Sequence, residues 1–258
     1  MSKSIPIIVL ILLFVGGTLA ISAQNDTEMI NQPVVDTDKS TVNKFTYKSL
    51  IIPATLISYG VLTRNSERLV QFDYDVRGFA QQRTNFTTQV DDFLQYTPSA
   101  AVFALDWCGV KAKNSFRDRF IVMATSALIM GGTVYITKTS TKVLRPDGST
   151  RNSFPSGHTA TAFTGAHVLF KEYKEVSPWI GVAGYAAATV TGMMRITNRR
   201  HWASDIITGA GVGIFSVELG YLLLPLFHSI FDINAKRSIV IVPSVGSGQM
   251  SIVMSCAF

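Results

Sequence analysis

Three stretches, Lys138–Pro146 (KTSTKVLRP), Pro155–His158 (PSGH) and Arg195–Asp205 (RITNRRHWASD), bring cations, two histidines and a carboxylate close together in the chain. Such a set can take a phosphoryl group off an ester without a metal. Cations neutralise the phosphate oxygens and one histidine attacks phosphorus. The second histidine protonates the leaving oxygen, and the carboxylate orients the nucleophile.

Lys138, Lys142 and Arg145 stand at i, i+4 and i+7, so they share one face of a helix that Pro146 stops. Lys138 and Arg145 are the phosphate candidates; Lys142 reads as solvated. Ser156 is a good N-cap, Gly157 lets backbone N–H groups approach an anion, and His158 follows in the first turn of a helix, itself an anion site. His201 and Asp205 are four apart, so one helical turn brings the carboxylate to one ring nitrogen and leaves the other to attack. Arg195 can offer a forked contact to phosphate oxygens. Arg199 and Arg200 are candidates for a second anionic group on the substrate, or for anionic lipid headgroups. His167 reads as structural.

Six apolar segments must position these groups: Leu50–Leu62, Pro98–Val110, Phe120–Thr137, Thr159–Phe170, Trp179–Thr197 and Ile206–Phe227. The expected fold is all-α, a bundle of about six core helices embedded in a membrane, with the active site at one end. The first stretch ends the third segment, the second opens the fourth, and the last runs from the end of the fifth to the start of the sixth. In an up-down bundle those four helix ends lie on one face. The third, fifth and sixth segments are the credible spans. Pro53 interrupts the first segment, and Pro225 is expected to end or kink the last helix. The opposite loops, Lys111–Arg119 and Lys171–Pro178, are basic and should stay cytoplasmic, which turns the motif face toward the periplasm. If the leader is cleaved and all six segments span, the site lands in the cytoplasm instead. A first segment that does not span, or a soluble periplasmic bundle, removes that conflict.

The 258 residues carry a net charge of +6. A basic balance suits an anionic substrate or membrane surface; nucleic acid is disfavoured, because the charge is not gathered in one patch and no nucleic-acid motif appears. Charged residues make up 16%, below the ~25% of ordinary soluble domains, yet mean hydropathy is only +0.28. Residues 1–23 read as a secretory signal or an uncleaved anchor, 24–47 as a polar linker, 48–228 as the catalytic domain, and 229–258 as a tail with a β-hairpin over Ser238–Val242 and Ser251–Ser255. Residues 63–96 form either an amphipathic helix on the membrane, or lidding the site, or an ordinary surface helix. Cys108 and Cys256 read as buried small hydrophobes.

The three stretches resemble the tripartite signature of the type 2 phosphatidic acid phosphatase (PAP2) superfamily, over roughly residues 117–228. That superfamily includes membrane lipid phosphatases, soluble bacterial acid phosphatases and vanadium haloperoxidases. The resemblance implies that Lys138, Arg145 and Arg195 bind phosphate, with Ser156 and Gly157 adding hydrogen bonds. It makes His158 the acid, His201 the residue that becomes phosphohistidine, and Asp205 its orienting partner. It implies no metal and no other cofactor. The leader and apolar helices favour the lipid phosphatase branch of the bacterial inner membrane, with a periplasm-facing site. The expected partner is then a phospholipid, lipid A or polyprenyl diphosphate substrate. A soluble periplasmic acid phosphatase, or a phosphotransferase using the same intermediate, are the alternatives. Two departures stand out. Met194 occupies the place where the family usually has serine, and the connection between Pro146 and Pro155 is short.

Overall fold

The computed structural model describes residues 47–83, 88–230, 238–246 and 249–257. The leader and, save for Tyr47, the linker lie outside the described residues, as does the side chain of Cys256. After a single 3-10 turn, Tyr47–Leu50, eight helices follow: α1 Ile51–Thr63, α2 Glu67–Arg83, α3 Val90–Leu94, α4 Thr97–Trp107, α5 Phe116–Thr141, α6 Gly157–Tyr173, α7 Pro178–Thr197 and α8 Ala203–Ile230. The six apolar segments are α1 and α4 to α8, so the bundle is all-α. Further along the chain, β1 Ser238–Gly246 and β2 Gln249–Ala257 pair antiparallel, with Val242 opposite Val253.

Helix boundaries follow local chemistry. The Ser115 hydroxyl accepts the Asp118 N–H to start α5, and Ser156 does the same for the Thr159 N–H at α6. Pro178 sits at the start of α7, where its missing N–H costs nothing. Helix α5 ends at Thr141, earlier than the spacing of its basic residues suggests. Lys142 turns into the left-handed region at φ 50°, so Arg145 stands in the following loop and not on the helix. Ladder bonds from Ser153 N to the Val143 carbonyl and from Arg145 N to the Thr150 carbonyl hold that loop folded back. Pro225 does not end α8, which runs five residues past it; Pro53 lies in the first turn of α1 and does not interrupt it.

Helix α8 is the central post, packed on α6, α1 and α5, and α6 packs in turn on α7 and α4. Val102, Val122, Val168, Leu169, Tyr173, Val217, Tyr221 and Leu224 knit α4, α5, α6 and α8 together. Small residues set the spacing. A Cβ at Gly209 would lie 2.6 Å from the Ser156 carbonyl oxygen, and one at Gly213 2.5 Å from that of Ala160. The two glycines let α8 approach α6 at the height of the PSGH turn.

Among the described residues two helices, α5 and α8, are long and apolar enough to cross a membrane. They differ in one respect that decides how each is solvated. In its most apolar stretch α8 is 61% buried, whereas α5 is 17% buried. Helix α5 turns Phe120, Leu128 and Tyr135 outward, Leu128 with 78% of its surface free. The fifth segment, α7, does not reach the same length-and-hydropathy mark, because glycines, alanines and threonines dilute it.

The basic end opposite the motifs is less basic than its sequence. Arg119 is buried, donating to Asp106, the Tyr173 hydroxyl and the Val102 carbonyl, and Lys171 donates both ways to Glu218. Lys113 pairs with Glu175 at 3.1 Å, and Lys111, Arg117 and Lys174 lie at the same end. Cys108 is exposed, at the C-cap of α4, and not buried as its apolar neighbours suggested. His167 is buried between the Tyr185 hydroxyl and Glu218, a packing role.

The glycine spacing predicts an outcome. Gly209→Ala should lower the thermal midpoint in detergent, by an overpacking cost of about 1–3 kcal/mol. Gly131→Ala, with nothing within 4 Å of the added methyl, should leave it unchanged or raise it. Equal midpoints for the two variants would show that α8 has room to retreat.

Candidate active site

Four chain ends meet at one end of the bundle. The C-terminus of α5 brings Lys138, the loop after it Arg145, the start of α6 Ser156 to His158, and the link from α7 to α8 Arg195 to Asp205. The first turn of α8 is the junction. Asp205 is wholly buried, and its Oδ2 accepts the Ser153 hydroxyl and, at 2.9 Å, the Trp202 N–H. The second contact is half of a capping box, a first-turn acid reaching back to the residue before the helix. The backbone carbonyl of Asp205 accepts the Ser156 N–H at 3.0 Å, which pins the PSGH turn to α8. On the other side Asp73 of α2 accepts the Ser204 N–H at 2.8 Å and its hydroxyl at 2.6 Å.

His201 lies just before α8 and is 2% exposed. Its Nδ1 is 3.5 Å from Asp205 Oδ2 and 3.5 Å from Ser153 Oγ. That is a long contact, of the kind that tightens when a catalytic site fills. It commits Nδ1 to the carboxylate side and leaves Nε2 free of that contact. Burial depresses the imidazole pKa to about 4, against the support of Asp205, and the cations Lys138 and Arg195 push it further down. His201 is therefore neutral, the form that can attack.

The cations converge, but Arg145 comes from the loop and not from the helix face that the spacing suggests. Arg145 is lowered by burial and by the nearby Arg195 and Arg200, the mark of several like charges around one space. Arg195 Nε and Arg145 Nε are buried and, among the described residues, have no hydrogen-bond partner. Arg64, Arg77 and Arg119 Nε are in the same state elsewhere, so what sets these two apart is their place among the other cations. Lys138 Nζ reaches the Asn152 carbonyl at 2.6 Å. Lys142 is exposed. Gly157 has room for a methyl group, its nearest neighbour being Val134 at 3.7 Å, so protein packing does not require glycine there.

Arg199 and Arg200 divide. Arg200 pairs with Asp147 at 3.3 Å. Arg199 adopts φ 56°, pinned by its carbonyl accepting the Asp147 N–H at 3.1 Å, and its side chain is exposed. Such a conformation is costly for a non-glycine residue and persists only where neighbours enforce it. The strained residue is two before His201. The short connection from Pro146 to Pro155 is thus the clamp on the nucleophile's loop, through Asp147, and the source of Ser153.

Sequence reasoning missed Ser153, Asp91, Asp92 and Asn198. Asp91, in α3, is fully buried against Arg195 NH1, and Asn198 Nδ2 donates to it at 3.1 Å. Asp92 Oδ1 accepts from His158 Nε2 at 2.7 Å. Burial and Arg195 lower the His158 pKa, and Asp92 and Asp91 oppose them. A polar segment with adjacent aspartates carries no signal of a contact so distant in sequence. A half-open cavity of about 240 Å³ lies beside this centre, between Tyr74 of α2, Trp202 and Leu144, with Arg64 and Asp73 at its floor.

Residues 119–228 match the model of the PAP2 superfamily. The chain is 45% identical over 143 residues to a lipid A 1-phosphatase of Porphyromonas gingivalis, an alignment that takes in 55% of this chain and 32% of that protein. The chain thus spans about a third of the length of the curated relative it matches. Two crystal structures align with TM-scores of 0.44. One is of Aquifex aeolicus LpxE, at 22% identity over 57% of this chain and 93% of that one. The other is a transmembrane PAP2 type phosphatidylglycerolphosphate phosphatase of Bacillus subtilis, at 18% identity over 74% and 99%. The three signature stretches, Lys138–Pro146, Pro155–His158 and Arg195–Asp205, all lie within the residues that match that family model.

Proposed function

We propose that the protein is a membrane lipid phosphatase that removes phosphate from a lipid headgroup without a metal, through a phosphohistidine at His201. The observation that carries the reading is the convergence of Lys138, Arg145 and Arg195 beside a neutral histidine backed by Asp205. An anion fills the first and is attacked by the second.

The phosphoryl oxygens sit among Lys138, Arg145, Arg195, the Ser156 hydroxyl and the N–H groups at the start of α6, which cancel the charge that develops. Gly157 leaves the backbone open for that approach. His201 Nε2 attacks phosphorus in line. The phosphorus–oxygen ester bond breaks, and the leaving oxygen takes a proton from His158. Asp205 stabilises the charged ring of His201 through Nδ1. Water, giving its proton to His158, then attacks phosphorus and frees His201 and inorganic phosphate.

Membrane residence is supported by α5, whose apolar exterior needs an apolar solvent. Trp107 at the end of α4, Phe116 and Phe120 at the start of α5 and Trp179 at the start of α7 are all exposed at the end away from the site. They form the aromatic belt expected where helices leave the bilayer. Lys111, Lys113, Arg117 and Lys174 lie at the same end, so the site faces the periplasm of a bacterial inner membrane. The likeness to a lipid A 1-phosphatase makes lipid A the first substrate to try.

The test is phosphate release by the full chain in detergent, with chelator present. Lipid A, undecaprenyl diphosphate, phosphatidic acid and p-nitrophenyl phosphate are the substrates. Release from one lipid above the others is expected, and His201→Ala should lose about 10⁴-fold or more. Preference for the soluble ester would make the protein a broad acid phosphatase; phosphate passed to an added alcohol would make it a transferase.

The pH profile follows from the two histidines. A pKa near 4 keeps His201 nucleophilic through mild acid, so the acid limb of kcat/KM should fall near pH 4 and not near the ordinary 6.5. His158, lowered and needed protonated, should place the alkaline limb below pH 6.5. A rate still rising at pH 7 would assign the acid elsewhere. Ser153→Ala removes a donor to a buried carboxylate and should slow turnover by about 10- to 100-fold, the equivalent of a charge-assisted hydrogen bond. Unchanged rates would leave Trp202 N–H as sufficient support for Asp205.

A further inference from the structure

Helix α3 brings two adjacent carboxylates into the site, and they have different surroundings. Asp91 is buried and tied down. It accepts from Arg195 NH1 and Asn198 Nδ2, while the Asn198 amide also donates to the Thr88 carbonyl at 2.8 Å and accepts the Thr88 N–H at 3.1 Å. Those contacts fasten the entry to α3 onto the end of α7. Asp92, the next residue, is half exposed, accepts from His158 Nε2 at 2.7 Å and lies 3.6 Å from Arg195 NH1. With Asp91 anchored, the short helix has little freedom to carry Asp92 away from His158.

We propose that Asp92 is a positioning residue for His158, making an acid pair that mirrors the nucleophile pair of His201 and Asp205. The role rests on the phosphoryl-transfer reading above. In the nucleophile pair the carboxylate takes Nδ1 and leaves Nε2 to attack. In the acid pair the carboxylate takes Nε2, which leaves Nδ1 as the nitrogen able to donate. When the ester bond breaks, the Nδ1 proton passes to the leaving oxygen. The ring becomes neutral and keeps its Nε2 proton on Asp92. When water attacks, Nδ1 takes one of its protons back. Without Asp92 the charged ring faces Arg195 of α7 with only the already paired Asp91 to oppose it, and the ring is free to rotate. Asp91 has the corresponding effect on Arg195: it holds NH1 and leaves the unpartnered Nε for phosphate.

The test uses the full chain in detergent, with Asp92→Asn and Asp92→Glu, and two monoesters that differ only in leaving group, an alkyl phosphate and p-nitrophenyl phosphate. An alkoxide needs a proton to leave and a nitrophenolate does not. Asp92→Asn should lower kcat/KM on the alkyl ester by about 10- to 100-fold, within the usual reach of general acid catalysis, and on the aryl ester by less than about 3-fold. Its alkaline limb should move to lower pH, and Asp92→Glu should restore much of the rate. Equal losses on both esters would make Asp92 merely structural. A gain would show that its carboxylate competes with phosphate for Arg195. Either result overturns the proposal. Titration of His158 by NMR in wild type and Asp92→Asn separates the two readings. An unchanged titration overturns the acid pair alone. Wild type inert on both esters overturns the phosphatase reading and this role with it.

Discussion

A carboxylate with no exposed surface, Asp205, holds this site together. Isolated in a protein interior an ionised carboxylate costs several kcal/mol, and only directed donors offset that cost. Here they come from two places: Ser153 from the loop after α5, and the adjacent His201 and Trp202 from the turn before α8. The same residue's carbonyl receives Ser156. One buried residue therefore ties the last signature stretch to the second through Ser156, and to the connection after the first through Ser153. Remote parts of the chain serve it too: Asp73 braces the first turn of α8, and Arg64 donates to Ser204 at 2.8 Å while its guanidinium lies over Phe154.

Around that anchor the charges are deliberately unbalanced. Lys138, Arg145, Arg195 and Arg200 crowd one space; burial lowers the Arg145 pKa first, and the nearby Arg195 and Arg200 lower it further. Asp91 and Asp147 answer Arg195 and Arg200 in part. The remainder is a preorganised demand for negative charge, which a phosphate satisfies and a transition state with more charge on its oxygens satisfies better. Burial keeps His201 neutral, and the same field adds to it in a smaller part.

Much of this was legible in the sequence because it is local or ordered along the chain. The alternation of apolar segments with basic and histidine-bearing stretches fixes which helix ends must share a face, and all the charged candidates are found at that end. What sequence did not show depends on contacts made across the fold. Asp91 meets Arg195 across 104 positions and Asp92 meets His158 across 66. Both aspartates sit in a polar segment that spacing alone leaves open between an amphipathic helix on the membrane or over the site and an ordinary surface helix. Ser153 hides in a connection that seemed merely short. The run from Lys138 to Arg145 has helical spacing, yet backbone bonds to Thr150 and from Ser153 outcompete another turn of helix. Arg119 reads as a loop cation only because its partners, Asp106 and Tyr173, come from other helices.

The placement of the site at a helix-end junction also settles a tension between lipid and charge. Cations and a neutral histidine need a partly dry setting to be effective, while a phosphorylated headgroup lies at the wet boundary of a bilayer. Helix α5 resolves this along its own length. Its exterior is apolar through Phe120 and Leu128 to Tyr135, and only in its last turn does it present Lys138. The chain then leaves the helix through Lys142 in the left-handed region, carrying Arg145 back over the site. Had the helix continued to Pro146, as the spacing suggests, Arg145 would project onward along the α5 axis. The early helix stop converts a basic helix face into a loop that folds back over the end of α5 and carries Arg145 toward Arg195 and Arg200.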